Sequence, residues 1–217
     1  MKRATPTESE ATPGLRERKK RALRGELSLA ALRLAKQHGL ENVRTEDIVA
    51  AVGVSRRTFT NYFANKYEAM ADRLVERAEQ SAKVLGARPR GEPLWQALTA
   101  ALLAPYEDVA IAFSDVPAEE RKTKLLIIEE PLLRAEILKS DFAAQEALTP
   151  AIAARTGTDP DDLYPALVAA TAVAALATAR NRWLRMKSPQ PLLVLIREAL
   201  GHIERGLSEP PKQGKKR

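Results

Sequence analysis

Two short helical segments separated by one glycine, within residues 45–62, constrain the fold of this chain more than any other feature. Thr45 is a good N-cap for the first segment, and Gly53 interrupts it after only seven residues. Ser55 offers an N-cap for the second segment, Arg56 to Tyr62. A tight turn between helices often needs a positive φ, which glycine adopts without steric cost. The pattern predicts a helix-turn-helix.

Longer helices are predicted on both sides of this turn. The preceding helix has an apolar face, formed by Leu23, Leu27, Ala30 and Leu34. Gly39 ends it. After the turn, Asn65 and Glu68 have the spacing of a capping box and open a helix to about Leu85. The cluster Phe59, Tyr62, Phe63 and Tyr67 holds four of the ten aromatic residues, and Phe59 and Phe63 are expected to form the core of a three-helix unit together with Ile48 and Val54.

The rest of the chain consists of helix-length segments that begin at or near proline. Pro89, Gly91 and Pro93 separate them from the long helix. They span Pro93 to about Ala112, Pro117 to Glu129, Pro131 to Arg155, Asp159 to Met186, and Pro189 to Leu207. No run alternates apolar and polar residues for long enough to form a strand. The expected fold is all-α with about nine helices.

Composition excludes several classes of protein. With 217 residues, of which 45% are hydrophobic, the chain can form a sizeable core. The absence of cysteine excludes disulfide scaffolds, thiolate metal sites and thiol nucleophiles. The first 14 residues are polar and lack the apolar segment of a secretory signal, and no stretch reaches the roughly 18 consecutive apolar residues of a membrane helix. We therefore expect a cytoplasmic protein without a membrane segment, cofactor or metal.

The positive charge is concentrated at one end of the chain. Residues 1–66 hold 14 basic and 7 acidic side chains, and this accounts for the whole net charge of +7. Residues 67–209 are mildly acidic, and the last few residues are basic again. Such an asymmetry favours a polyanion-binding module joined to a domain with a different role, although charge runs are often only solvated faces.

Residues 45–69 resemble the DNA-binding signature of TetR-family transcriptional regulators. The similarity rests on Thr45, Ile48-Val49, Gly53-Val54-Ser55, Thr58, Tyr62-Phe63 and Lys66-Tyr67-Glu68, each at the spacing of that signature. It covers about residues 20–70, and beyond them it concerns architecture only. The pattern also departs from the family. Arg57 stands where many members carry glycine, and Thr60 stands where an aromatic residue is common.

The resemblance implies roles for individual residues. Thr45, Tyr62 and Lys66 would hold the DNA backbone. The residues Arg56, Arg57, Thr58 and Asn61 would face the major groove, where Arg can pair with guanine and Asn with adenine. A basic arm containing Arg18, Lys19, Lys20 and Arg21 would contact the adjacent minor groove, or it would act as a loose electrostatic tether.

The family architecture also implies how the chain is divided. We expect a disordered polar arm at residues 1–14 and a helix-turn-helix domain at 15–66. An effector-binding and dimerisation domain would follow at 67–208, with a disordered basic tail at 209–217. The Ala-rich segment Asp159 to Met186 and the apolar stripe of the last helix would form the seam of a homodimer, as the last two helices do in the family.

An effector pocket is the least constrained part of the interpretation. Large side chains scattered over several helices could line it, although ordinary core packing is the alternative for each. The candidates are Trp95, Tyr106, Phe113, Leu126, Leu133, Phe142 and Trp183. The surrounding leucines and isoleucines favour an apolar or amphipathic small molecule.

The favoured function is a sequence-specific DNA-binding regulator, a repressor that an effector releases from a pseudo-palindromic operator. A ligand-blind helix-turn-helix regulator or an architectural DNA-binding protein is the alternative, and activation in place of repression stays open. An enzyme is not expected. The chain has two histidines, His38 and His202, on separate helices, and it lacks a phosphate loop and a nucleophile elbow.

Overall fold

The computed structural model describes residues 14–107, 116–187 and 190–207. All regular structure within these ranges is helical, which confirms the expected all-α class. Nine helices occur in the described ranges. They are α1 (Leu15–His38), α2 (Thr45–Val52), α3 (Arg56–Thr60), α4 (Lys66–Ala87), α5 (Leu94–Glu107), α6 (Ala118–Glu129), α7 (Pro131–Thr156), α8 (Leu163–Arg185) and α9 (Leu192–Glu204). The two tails predicted to be disordered, residues 1–14 and 209–217, lie outside the described residues except for Gly14.

The chain divides into two compact units, residues 1–69 and 70–217. In the first unit α1 packs on α2, and α2 packs on α3. Phe59 and Phe63 are each 1% exposed, and their ring centroids lie 5.7 Å apart. Ile48 is fully buried, whereas Val54 is partly exposed and so contributes less to this core than expected.

In the second unit, α8 lies at the centre of the packing and contacts α6, α7 and α9. Its small side chains let neighbouring helices approach closely, and nine of its residues are buried. They are Pro165, Val168, Ala169, Ala172, Val173, Ala175, Ala179, Trp183 and Leu184. The Ala-rich segment is therefore a core helix of the second unit.

By length and composition alone, α8 could cross a membrane. Helix α8 has no uninterrupted apolar run long enough to cross a membrane, but its mean hydropathy is high despite isolated polar residues such as Thr171. Central helices of globular proteins meet the same criterion, and the buried residues of α8 belong to the apolar core of the second unit. The composition of α8 is therefore weak evidence for a membrane segment.

Two arginines bind backbone carbonyls that the helices leave free. Arg121 on α6 donates to the carbonyl of Val116, and to those of Met186 and Lys187 at 3.3 and 3.0 Å. At the end of α7, Arg155 donates to the carbonyls of Pro89 and Glu92 at 2.7 and 2.6 Å. Since these carbonyls lie in the segments between helices or at a helix end, the guanidinium groups stabilise the connections within the second unit.

Candidate nucleic-acid interface and interhelical cavity

The turn between α2 and α3 has the backbone expected of a helix-turn-helix. Gly53 has φ 76° and ψ 32°, in the left-handed region. The N–H of Val54 donates to the carbonyl of Val49 at 3.0 Å, which closes the end of α2. At the start of α3, Ser55 Oγ accepts a hydrogen bond from the N–H of Thr58 at 3.0 Å. The glycine conformation and the serine cap predicted from the sequence are both confirmed.

The residues expected to face bases lie on or beside α3. Arg56, Arg57 and Asn61 are exposed, and Thr58 is partly exposed. Arg56 forms an ion pair with Glu46 of α2 at 2.9 Å. Within the described ranges Arg57 has no ion-pair partner, so its guanidinium is available to a ligand. Helix α3 is shorter than expected and ends at Thr60, so Asn61 is its C-cap.

The hydroxyls of α3 are engaged in local hydrogen bonds. Thr58 Oγ1 lies 2.9 Å from Ser55 Oγ, and Thr60 Oγ1 donates to the carbonyl of Arg57 at 3.0 Å. The methyl group of Thr58 therefore suits a base contact better than its hydroxyl does, since the hydroxyl already has a partner.

The cap of α2 differs in detail from the prediction. Arg44 is the N-cap residue of α2, and Thr45 is the first helical residue. The N–H of Arg44 donates to Asp47 Oδ2 at 2.8 Å, so the cap is formed by an acidic side chain from inside the helix. Tyr62 is partly exposed, and its ring lies 6.5 Å from that of Phe63.

Lys66 has partners that the sequence did not indicate. Its Nζ donates to the carbonyls of Leu40 and Val43, both at 2.7 Å. The ammonium group also lies 5.2 Å from the ring centroid of Tyr67. An ammonium group has three donors, so these bonds leave one N–H for a phosphate. Lys66 therefore holds the loop between α1 and α2 from the first turn of α4.

The basic run Arg16 to Arg21 is helical and does not form an extended arm. It forms the start of α1, and Arg18, Lys19, Lys20 and Arg21 are all exposed. Arginine and lysine are good helix formers, and no proline or glycine interrupts the run after Gly14, so α1 extends N-terminal to its apolar face. This part of the predicted interface is therefore an exposed, basic helical surface.

A small cavity of about 30 Å³ lies between α4, α5, α7 and α8 in the second unit. Its apolar walls are Leu74, Ala78, Leu102, Ala144, Leu148, Val173 and Leu176. The polar residues Arg77, Ser81, Tyr106, Asp141 and Arg180 also line it. The space is less apolar than expected, since three of these side chains are charged.

The charged groups of this cavity are unevenly paired. The guanidinium of Arg77 lies 4.6 Å from the ring centroid of Tyr106, and burial lowers the pKa of Arg77. Arg180 lies 4.0 Å from Asp141, a long ion pair. Burial raises the pKa of Asp141, and Arg180 opposes that shift.

Tyr106 is the only one of the described pocket candidates that lines this cavity. Leu126 and Phe142 were expected to form walls but are 64% and 62% exposed, because they project from the outer faces of α6 and α7. Leu133 and Trp183 are each 2% exposed and belong to the packed interior, and Trp95 packs partly buried against the core. Phe113 lies outside the described residues.

Two functional candidates, Arg44 and Arg77, were not predicted from the sequence. Arg44 is exposed beside Thr45 at the start of α2, and a basic residue next to the signature threonine could have indicated it. Arg77 lies among Leu74, Ala78 and Ser81, which have the spacing of one inward helix face. A charged residue at such an inward position is the signal that could have revealed the polar side of the cavity.

Comparison with known proteins agrees with this architecture. The family model for bacterial regulatory proteins of the tetR family matches residues 29–81, and the model for the MftR C-terminal domain matches residues 92–208. The HTH-type transcriptional regulator TcmR of Streptomyces glaucescens is 33% identical over 174 residues, which cover 79% of this chain and 77% of TcmR.

Solved structures share the fold at low sequence identity. FadR of Thermus thermophilus, a TetR-family repressor in complex with lauroyl-CoA, has a TM-score of 0.50 and 18% identity, and covers 89% of this chain and 100% of its own. The fatty acid degradation regulator FadR of Bacillus halodurans has a TM-score of 0.53 and 14% identity, with coverage of 92% and 100%. The relatives are transcription factors and not enzymes. The chain belongs to the TetR family of DNA-binding transcriptional repressors.

Proposed function

We propose that this repressor binds a pseudo-palindromic operator as a homodimer and that an amphipathic small molecule releases it. The observation that carries the proposal is the capped helix α3, which presents the exposed side chains of Arg56, Arg57 and Asn61 on a unit whose residues 1–66 hold the whole net positive charge. Short helices preceded by a tight turn enter the major groove with their N-terminal residues.

The residues divide into those that select a sequence and those that bind any duplex. Arg57 is the foremost base-reading candidate, because its guanidinium is exposed and can pair bidentately with guanine. Arg56 would contact a base only after its ion pair with Glu46 is broken. Thr45, Tyr62 and the basic start of α1 would contact phosphates, which position the protein without selecting a sequence. Lys66 would add one phosphate contact at most, and its main role would be structural.

The dimer seam is proposed on α7 and α8, in place of α8 and α9. The apolar stripe of α9 is used inside the unit, where Leu192, Leu195, Ile196 and Leu200 are buried. Large apolar side chains are exposed instead on α7 and at the start of α8. They are Leu132, Leu138 and Phe142 on α7, and Leu163, Tyr164 and Leu167 on α8. An apolar surface of this kind on a soluble protein favours an interface.

Small residues continue the exposed face of α8. Ala174 and Thr178 are exposed and follow Leu163 and Leu167 at helical spacing. Small side chains allow two helices to approach closely, so a second copy of this chain is the partner that we propose. Twofold symmetry would then present two α3 helices to half-sites about one turn of DNA apart, ~34 Å, or farther.

The effector would act through α4. This helix supplies Leu74, Arg77, Ala78 and Ser81 to the cavity, and it begins at Lys66, shortly after α3. A ligand changes DNA affinity only if it binds the two conformations of the dimer differently. Expansion of the cavity would displace α4, and this would move the two recognition helices out of register with their half-sites. Such a regulator acts where the chromosome is, in the bacterial cytoplasm.

Selection of binding sites from random duplexes tests the DNA proposal. The expected result is a sequence with two inverted half-sites, bound by two protein chains, with an affinity that falls steeply with salt. Recovery of no sequence above bulk genomic competitor, or binding by single chains, would overturn it. The selected duplex then serves to test release: a small molecule that raises the melting temperature of the protein should also dissociate the complex. Ligands that bind without changing DNA affinity would favour the ligand-blind alternative.

A further inference from the structure

Arg77 is a partly buried cation without a carboxylate partner among the described residues. Its Nε is inaccessible to solvent and has no hydrogen-bond partner, and its guanidinium lies over the ring of Tyr106 at 4.6 Å. No carboxylate of the described residues lies within ion-pair distance of it. Tyr106 favours the positive charge of Arg77, whereas the charged neighbours Arg73 and Arg180 both disfavour it.

The nearby carboxylates are committed to other groups. Glu76 binds Arg73 at 2.5 Å, and Asp141 lies 4.0 Å from Arg180. The cavity-lining charges Arg77, Arg180 and Asp141 therefore leave an excess of one positive charge. Arginine keeps its proton even when buried, so the site cannot become neutral by losing one. Enclosing a cation without an anionic partner is costly, and an anion that entered the cavity would reduce this cost.

We propose that the cavity is an anion-binding subsite, in which Arg77 anchors the carboxylate head of an amphipathic organic acid. This inference rests on the proposed effector function and names the chemical class of the effector. A carboxylate matches the planar guanidinium, which can offer it two parallel N–H donors. Arg180 and Ser81 line the same space and could complete the shell around the head.

The apolar part of the ligand has an adjacent place to lie. A groove of about 180 Å³ lies beside the cavity, and Asp141 and Arg180 line both spaces. Ile128, Ile137, Leu138 and Ala177 provide its apolar lining, and Glu129, Arg134, Asn181 and Arg185 form its polar side. The inner cavity of about 30 Å³ holds roughly one water molecule, so the ligand must part Asp141 from Arg180 to bring its head to Arg77. The long Asp141–Arg180 contact would give way most easily.

Dodecanoate, dodecanol and dodecylamine share one alkyl chain and differ in the charge of the head, so they test the proposal on the unmodified full-length protein. Thermal melting and titration calorimetry would be measured below the micelle concentrations. Dodecanoate should bind most tightly, dodecanol more weakly, and dodecylamine least. This comparison uses only the unmodified protein, so it tests the proposal even if a variant fails to fold.

Two variants locate the anchor. Arg77→Gln should raise the Kd of dodecanoate by ~10- to 100-fold, because hydrogen bonds to a charged group are lost. The Kd of dodecanol should change by less than about twofold. Arg73→Gln removes the same charge from the same helix outside the cavity lining and should leave dodecanoate binding within about twofold. Asp141→Asn removes the competing negative charge and should strengthen dodecanoate binding.

The outcomes separate this inference from the function on which it rests. If dodecanol binds as tightly as dodecanoate and Arg77→Gln changes neither, the carboxylate anchor is wrong while the effector cavity stands. If no member of the series binds, the anchor is wrong. If a broad panel of apolar ligands also leaves the melting temperature unchanged, the proposal of a small-molecule effector is wrong as well. Binding to the selected duplex still tests the DNA-binding function independently.

Discussion

Arg56 and Arg57 are adjacent in sequence, yet their surroundings give them different chemistry. Arg56 is paired with Glu46, whereas Arg57 has no ionic partner among the described residues. An exposed ion pair contributes little to stability, but it restricts the orientation of the Arg56 side chain. In the proposed interface Arg57 is therefore ready to read a base, whereas Arg56 must first leave Glu46, and the sequence alone does not reveal this difference.

Arg57→Ala should relax discrimination at one base position by ~1 to 3 kcal/mol, because a bidentate contact to guanine is lost. Competition between the selected duplex and its single-base variants measures the effect. Arg33→Ala, an exposed residue of α1, is the control for the loss of one positive charge. A uniform loss of affinity for all duplexes, equal to that of the control, would show that Arg57 contacts the backbone.

Lys66→Ala should lower the free energy of unfolding by about 1.5 to 3 kcal/mol, because the carbonyls of Leu40 and Val43 lose a charged donor. Urea unfolding followed by far-ultraviolet circular dichroism measures it. The slope of the DNA affinity against salt should change by less than about one, since the ammonium has at most one N–H for a phosphate. Unchanged stability with a slope lower by one would instead assign Lys66 to the DNA backbone.

At the scale of single elements, local rules placed most of the helices well. Pro131 stands at the first turn of α7, and Glu130 accepts a hydrogen bond from the N–H of Leu133 at 2.8 Å. The pair Asn65 and Glu68 also behaves as expected at the start of α4, where Asn65 Oδ1 accepts from the N–H of Glu68 at 2.9 Å. Glu68 in turn accepts from the N–H of Ala64, so the reciprocal bond is displaced by one residue.

Helix α3 depends on its cap because it is only five residues long. Ser55→Ala should lower the free energy of unfolding by ~0.5 to 2 kcal/mol and weaken binding to all duplexes alike, because the end of the recognition helix frays. Thermal melting and the same competition assay measure both effects. Ser55→Asp keeps an N-cap acceptor and should retain the stability. If Ser55→Ala changed the preferred sequence and left stability unchanged, Ser55 would be a base contact instead of a cap.

At the scale of the whole molecule, the exposed apolar face of α7 and α8 needs a partner. Phe142→Ser should weaken the dimer by at least about 2 kcal/mol, roughly 30-fold in Kd, while far-ultraviolet circular dichroism stays unchanged, because Phe142 is 62% exposed within the chain. Sedimentation equilibrium measures the association.

Val194→Ser is the matched control on α9, where Val194 is 44% exposed. It should leave the dimer intact if the seam lies on α7 and α8. The opposite result, dissociation by the α9 change and tolerance of the α7 change, would restore the seam first predicted from the sequence.

The sequence alone determined the features that depend on neighbours within a few residues along the chain. These are the all-α class, the left-handed Gly53, the Ser55 cap, the order of the helices and the charge of the first unit. Backbone hydrogen bonding and helical spacing act over that range, so residue types suffice to predict them.

Only the tertiary structure decided where each helix face and each long side chain is used. The carbonyls that bind Lys66 come from the α1–α2 loop, 23 and 26 residues away, and the stripe of α9 is buried within its own unit. The lack of a carboxylate partner for Arg77 among the described residues depends in the same way on which groups four helices bring to one cavity. Amphipathic spacing identifies an apolar face but carries no information about its partner, because many packings bury the same face equally well.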